Sequence, residues 1–133
     1  MIVIDASALA AYILREEGYE KIDKYFAEEV VSIELVAKEV LNAVYVAYRR
    51  GRINSEHVDI ALRSLKELLA KVIRIVSQND VLKEAFRISL KHNITIYDSL
   101  YIALAKRVHG KLLSRDKKQL DIAEGEHIEI IPV

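Results

Sequence analysis

Four acidic residues stand where a solvated carboxylate has no obvious place. Asp5 follows the apolar run Met1, Ile2, Val3, Ile4 and precedes the apolar stretch Ala8 to Leu14, so it lies at the seam between two core elements. Asp98 opens the apolar stretch "DSLYIALA" after "ITIY", and Asp116 ends "KLLSRD". Taken singly, each of these three has a structural explanation as a helix N-cap, and "DKKQ" from Asp116 to Gln119 resembles a capping box. Glu39 has no such explanation. On a helix, Glu34, Lys38, Asn42 and Tyr45 share a polar arc and Val36, Val40, Ala43, Val44 and Ala47 an apolar one, and Glu39 falls off the polar arc. An inward carboxylate there needs either an Arg or Lys partner or another strong ligand. If the four converge, they cannot all be ionised without a counter-charge. A hard divalent cation answers this: oxygen donors without Cys or His suit Mg²⁺ or Mn²⁺, which also bind phosphate oxygens. His57, His92, His109 and His127 all fall in linkers or at element ends and read as surface residues, so they give no zinc site.

The elements that must position these acids alternate along the chain. "IVI", "VVSI", "VIRIV", "KLLS" and "HIEIIPV" read as five short strands, with Pro132 tolerable near the terminus. Between them the pattern is helical. Ser7 to Arg15 forms one helix, and Gly18 breaks the chain before a second with Tyr19, Ile22, Tyr25 and Phe26 on one side. A long helix spans Ile33 to Arg50 and ends at Gly51, and Asn54 or Ser55 caps the next, which runs to about Ala70. "SQNDVLKEAFRISLKHN", "YDSLYIALAKRVHG", a nearly all-apolar helix ending at Gly110, and "RDKKQLDIA" complete the set. Short strands each followed by a helix require crossover connections, so the fold class is α/β, a three-layer α/β/α sandwich on a short-stranded parallel sheet. In such sheets ligands bind outside the carboxyl ends of the strands, where Asp5 and Asp116 fall.

Composition narrows the class further. A chain of 133 residues, 52% hydrophobic, suits one domain over residues 1–133 with a sizeable core. Its longest apolar run is far shorter than a membrane span, and the N-terminus lacks a basic segment before its apolar stretch, so neither membrane association nor a secretory signal is expected. With no Cys, the expected compartment is the cytoplasm. Twenty basic and twenty acidic residues give no net attraction to nucleic acid. Locally, Lys106, Arg107, Lys111, Arg115, Lys117 and Lys118 outweigh Asp116 between Ser99 and Leu120, which is either a basic flank or a solvated face.

Read in order, "VIDASAL", "ELVAKEVLNA", "YDSLYIALA" and "LLSRD" resemble the motifs of the PIN-domain nucleases, in particular the small VapC-type ribonuclease toxins of type II toxin–antitoxin pairs. The resemblance covers nearly the whole chain. It implies a PIN-like fold and a metal-dependent endoribonuclease hydrolysing RNA phosphodiester bonds, with Asp5, Glu39, Asp98 and Asp116 holding Mg²⁺ or Mn²⁺. Ser7 and Ser114 match small hydroxyl residues that orient the carboxylates, Asn42 matches an Asn one turn beyond the helical Glu, and Asp121 is a peripheral acid. Arg115, Lys117 and Lys118 are candidates to meet RNA, as is the Arg49, Arg50 and Arg52 cluster. The resemblance further implies a homodimer and a small cognate antitoxin whose tail fills a groove on the N-terminal helices, where Tyr12, Tyr19, Tyr25, Phe26, Tyr45 and Tyr48 gather. The alternatives are a PIN nuclease of RNA maturation, or an inactive PIN module that only binds RNA or a partner protein. A signalling receiver would need an Asp ending the third strand, where "VIRIVSQND" has Ser77.

Overall fold

The β-branched run Ile2–Ile4 is buried on both faces and forms the central strand of the sheet. The computed structural model describes all residues 1–133. Strands β1 (Ile2–Ile4), β2 (Val30–Ile33), β3 (Ile73–Val76), β4 (Lys111–Ser114) and β5 (Ile130–Pro132) lie in the order β3-β2-β1-β4-β5, every pair parallel. The third and fifth expected strands shorten at their starts, and Pro132 sits on edge strand β5, where its missing N–H costs no ladder bond. Beyond the last β1–β2 pair, Val3 with Val31, the buried Ser32 hydroxyl donates to the Ile4 carbonyl at 2.7 Å and substitutes for a backbone donor.

Seven helices cover the sheet: α1 (Ala6–Ile13), α2 (Glu20–Asp23), α3 (Leu35–Arg49), α4 (Ser55–Lys71), α5 (Leu82–His92), α6 (Ile96–Arg107) and α7 (Lys117–Gly125). The helix expected after Gly18 is one turn of α2 continued by a 3₁₀ turn over Lys24–Ala27. Right-handed crossovers place α1 to α4, whose connections run from β1 towards β3, on one face, and α5 to α7, whose connections run back, on the other. The direction reverses between β1 and β4. That is the switch point of the sheet, and Asp5 and Asp116 follow its two strands.

Helix α6 lies at the centre of its layer, with Ser99 through Ala105 all buried. Its amino end is tied to α7 by the Gln119 side-chain amide, which donates to the Asp98 carbonyl at 3.0 Å. Its carboxyl end is tied by Glu126, whose side chain is 2% exposed and meets Arg87, Lys91, His92 and Lys106. Burial alone would push the Glu126 carboxyl up, but the four donors together hold it far below the usual carboxylate range. His92 is therefore a partner in a buried ion cluster and not the surface histidine that its position at a helix end suggests.

The end of α6 also corrects the reading of Gly110 as a helix terminator. The left-handed residue there is His109, at φ 52°, while Gly110 is needed for space: a Cβ would stand 2.9 Å from the Met1 carbonyl oxygen and 3.1 Å from Val108 Cγ2. Gly110→Ala should therefore push β1 and β4 apart at their start and lower stability by roughly 1–3 kcal/mol, read from urea unfolding. A fully neutral substitution would contradict this packing.

Candidate active site

The turn after β1 is built around Asp5. Its backbone N–H continues the sheet by donating to the Leu113 carbonyl at 3.2 Å, and its side chain turns back to cap α1, accepting from Ala8 N–H at 2.9 Å. The carboxylate is 1% exposed. Ser7 Oγ lies 2.8 and 3.0 Å from its two oxygens, and Ser114 Oγ, at the end of β4, donates to Oδ2 at 2.5 Å. Both hydroxyls also accept backbone N–H groups from the loop after β4, Ser7 from Arg115 at 2.9 Å and Ser114 from Asp116 at 3.0 Å. One hydroxyl pair thus joins Asp5 to the Asp116 turn across the switch point.

Asp116 caps α7 through Gln119 N–H at 3.1 Å. The expected capping box does not close, because Ser114 Oγ takes the Asp116 N–H and the Gln119 side chain reaches Asp98 instead. Asp98 does not open its helix either. Thr95 is the cap, accepting from Asp98 N–H at 3.2 Å, and α6 starts at Ile96, which leaves the Asp98 carboxylate free of capping duty. Glu39 lies in the second turn of α3 and points inward, as its place off the polar arc predicts. Its partner is neither Arg nor Lys: the Tyr101 hydroxyl donates to Oε1 at 2.5 Å.

These residues line one cavity of about 180 Å³, formed by Asp5, Ala6, Ser7, Glu39, Asp98, Tyr101, Asp116 and Gln119. Four carboxylates share it, and no basic side chain lines it. Larger cavities lie against α4, one of about 460 Å³ beside Tyr12, but none gathers acids in this way, and here chemistry outweighs volume. The electrostatics follow. Burial pushes the Asp5 carboxyl up to about 6, against the hydrogen bonds from Ser114, Ala8 and Ser7. Burial likewise raises Glu39, opposed by Tyr101 and reinforced by Asp98. Asp98 is raised by burial and then by the charge of Asp116. No three of the acids stand at closed metal-ligand spacing in this structure.

The model of the PIN domain matches residues 2–125. The chain belongs to the PIN-domain family. It is 38% identical over 119 residues to "Ribonuclease VapC3" of Pyrobaculum aerophilum, covering 88% of this chain and 90% of that one. Among solved structures it resembles PAE2754 from Pyrobaculum aerophilum, with a TM-score of 0.75 at 24% identity over 97% of this chain and 89% of the other. It also resembles VapC20 of Mycobacterium tuberculosis, described as a sarcin-ricin loop cleaving toxin, with a TM-score of 0.70 at 17% identity over 99% and 100% of the two chains. At those identities the two structures establish the fold.

Around the cavity of this PIN domain, some expected neighbours fall outside. Asn42 is exposed on α3 and lines no part of the cavity. Asp121 pairs with Lys117 at 3.3 Å on the outer face of α7. Arg115 is exposed beside the cavity mouth with its guanidinium donating to the Glu17 carbonyl at 3.0 Å, and Lys118 is exposed on the first turn of α7. Glu34 is exposed, as its place on the polar arc predicts, but not idle: it accepts from Gln78 N–H at 2.6 Å and ties the start of α3 to the segment after β3. Two lining residues escaped the sequence reading, Tyr101 and the inward role of Gln119. The signal for Tyr101 was there: a phenol three residues after Asp98 in an apolar run shares its helix face and needs a hydrogen-bond partner.

The raised Asp5 pKa fixes the sign of a pH dependence. The folded state holds this proton to about pH 6, above the ordinary 3.8, so the stabilising contribution is complete below about pH 4 and is lost as pH rises through 6. Ionised Asp5 then costs on the order of 3 kcal/mol. In chelator, Asp5→Asn should gain stability relative to the wild type between pH 4 and pH 7, by paired urea titrations at the two pH values. An advantage that shrinks with rising pH would contradict the burial argument.

Proposed function

We propose that this chain is a single-domain, metal-dependent endoribonuclease of the VapC type, the toxin of a type II toxin–antitoxin pair. One observation carries the reading: four carboxylates from the β1–α1 turn, α3, α6 and the β4–α7 turn line one cavity without a basic side chain to balance them. Oxygen donors of this kind fit a hard divalent cation, with Asp5, Glu39, Asp98 and Asp116 as the residues that would hold Mg²⁺ or Mn²⁺. The chemistry such an ion supplies is Lewis-acid: a lower pKa for water and compensation of charge on phosphoryl oxygens.

The chain's own groups do the rest. Ser7 and Ser114 hold the Asp5 carboxylate in place through hydrogen bonds to its oxygens. Asp98, raised by burial and by Asp116, is suited to accept a proton from attacking water. Arg115, Lys117 and Lys118 flank Asp116, where RNA phosphates would approach. The groove between α1 and α4, with Ile13, Leu14, Ile53 and Ile60 beside Arg15, Arg52 and His57, suits an amphipathic acidic segment such as an antitoxin tail. No helix is long and apolar enough to cross a membrane.

A homodimer has a candidate face as well. Leu82, Phe86 and Leu90 are 44%, 58% and 72% exposed and recur every fourth residue along α5, and Tyr97 adds to this apolar surface at 57%. Leu90→Glu should shift the purified protein to monomer in light scattering. A dimer that persists unchanged would move the interface elsewhere.

The activity is tested on single-stranded RNA with Mg²⁺ or Mn²⁺. Cleavage should stop in chelator. Glu39→Gln should reduce turnover by about 100-fold or more, the scale of losing one preorganised charged group, whereas Glu34→Gln keeps an oxygen for Gln78 N–H and should change it by no more than about threefold, as for surface substitutions. Full cleavage in chelator, or the opposite ranking of the two mutants, would reject the metal reading.

A further inference from the structure

Tyr101 is among the largest fully buried side chains, 2% exposed, on the face of α6 that carries Asp98. Apolar packing at such a site needs a ring and no hydroxyl. The hydroxyl nevertheless lines the acidic cavity, and the Glu39 carboxylate is its partner. This contact is also the hydrogen bond that joins α3 to α6, helices that lie on opposite faces of the sheet. Glu39 otherwise hangs on a long side chain from a half-buried position, with no cation and no second donor on Oε1 or Oε2.

We propose that Tyr101 is a positioning residue for the divalent cation: its hydroxyl fixes Glu39 Oε1 and leaves Oε2 without a hydrogen-bond partner, at the cavity that Asp5 and Asp98 also line. This rests on the reading of Glu39 as a metal ligand. Three conformational freedoms of the Glu39 side chain are restrained by one buried, rigid phenol, so the ligand is in place before the cation arrives. The phenol donates only one hydrogen bond and carries no charge, so it orients the carboxylate without competing for it as Arg or Lys would. Groups that hydrogen-bond a metal ligand in this way typically change metal affinity by 10- to 100-fold when removed.

The experiment is a double-mutant cycle on the full chain, with Mn²⁺ affinity read by calorimetry, melting followed in chelator, and RNA cleavage measured across Mn²⁺ concentrations. Tyr101→Phe should weaken Mn²⁺ binding about 10- to 100-fold, with cleavage largely recovered at saturating Mn²⁺. Its melting temperature in chelator should stay within a few degrees of the wild type. In the Glu39→Gln background the same change should cause no further loss of Mn²⁺ affinity, because the residue acts through Glu39. Equal losses in both backgrounds would make Tyr101 a packing residue and overturn the proposal, as would a Tyr101→Phe protein that fails to fold. Unchanged Mn²⁺ affinity in Tyr101→Phe, with affinity lost in Glu39→Gln, would overturn it and leave the ligand reading standing. Wild-type Mn²⁺ affinity in both Glu39→Gln and Asp98→Asn would instead reject the ligand reading itself.

Discussion

A carboxylate buried at the carboxyl end of the central strand is the constraint around which this chain is organised. Asp5 is 1% exposed, and an ionised group there is tolerable only because three donors meet it: a helix N–H and two serine hydroxyls. Those donors come from the first turn of α1 and from the end of β4, so satisfying one side chain fixes the relation of the two central strands and of the helix that follows β1. The sheet reverses its winding at the same place. Backbone topology opens a crevice there, and the hydroxyl network sets which side chains border it.

The protein contains two buried acids with opposite electrostatics, and the contrast separates structure from function. Glu126, beyond the carboxyl end of α6, is saturated by Arg87, Lys91, His92 and Lys106 and is held far below the usual carboxylate range. Asp5, near the amino end of α6, has only neutral donors and rises to about 6. The first is a finished ion cluster that locks α5, α6 and α7 together. The second shares its cavity with three more acids and no cation, an arrangement that stability alone does not favour. Helix α6 links the two: one end is pinned by charge, and the other presents Asp98 and Tyr101 to the cavity.

Capping and ligation are often weighed as rivals for a helix-start Asp. Here Asp5 and Asp116 cap α1 and α7 and line the cavity as well, each using one oxygen for the helix N–H. A cap fixes the side chain's rotamer, and on Asp5 the second oxygen is held further by the Ser114 and Ser7 hydroxyls. Asp98 reaches the same cavity differently, from the third helical position, with Thr95 as the cap.

The alternation of short β-branched runs with helical periodicity was enough to determine the α/β class, the strands and nearly all the helices, because those depend on local pattern. The phase of α3 was legible too, since a charge off the polar arc must face inward wherever the helix packs. What the local pattern could not contain were the long-range partners. The Glu39–Tyr101 contact spans 62 residues, Ser114 meets Asp5 across 109, and Gln119 leaves its expected capping box for a carbonyl 21 residues away. His92 looked like surface until Glu126 closed on it, and Gly110 looked like a helix stop until the Met1 carbonyl came within contact distance of it. A hydrogen-bonding group takes whichever partner folding brings within about 3 Å, and that is decided by the crossing of elements over the sheet, which no single segment of sequence encodes.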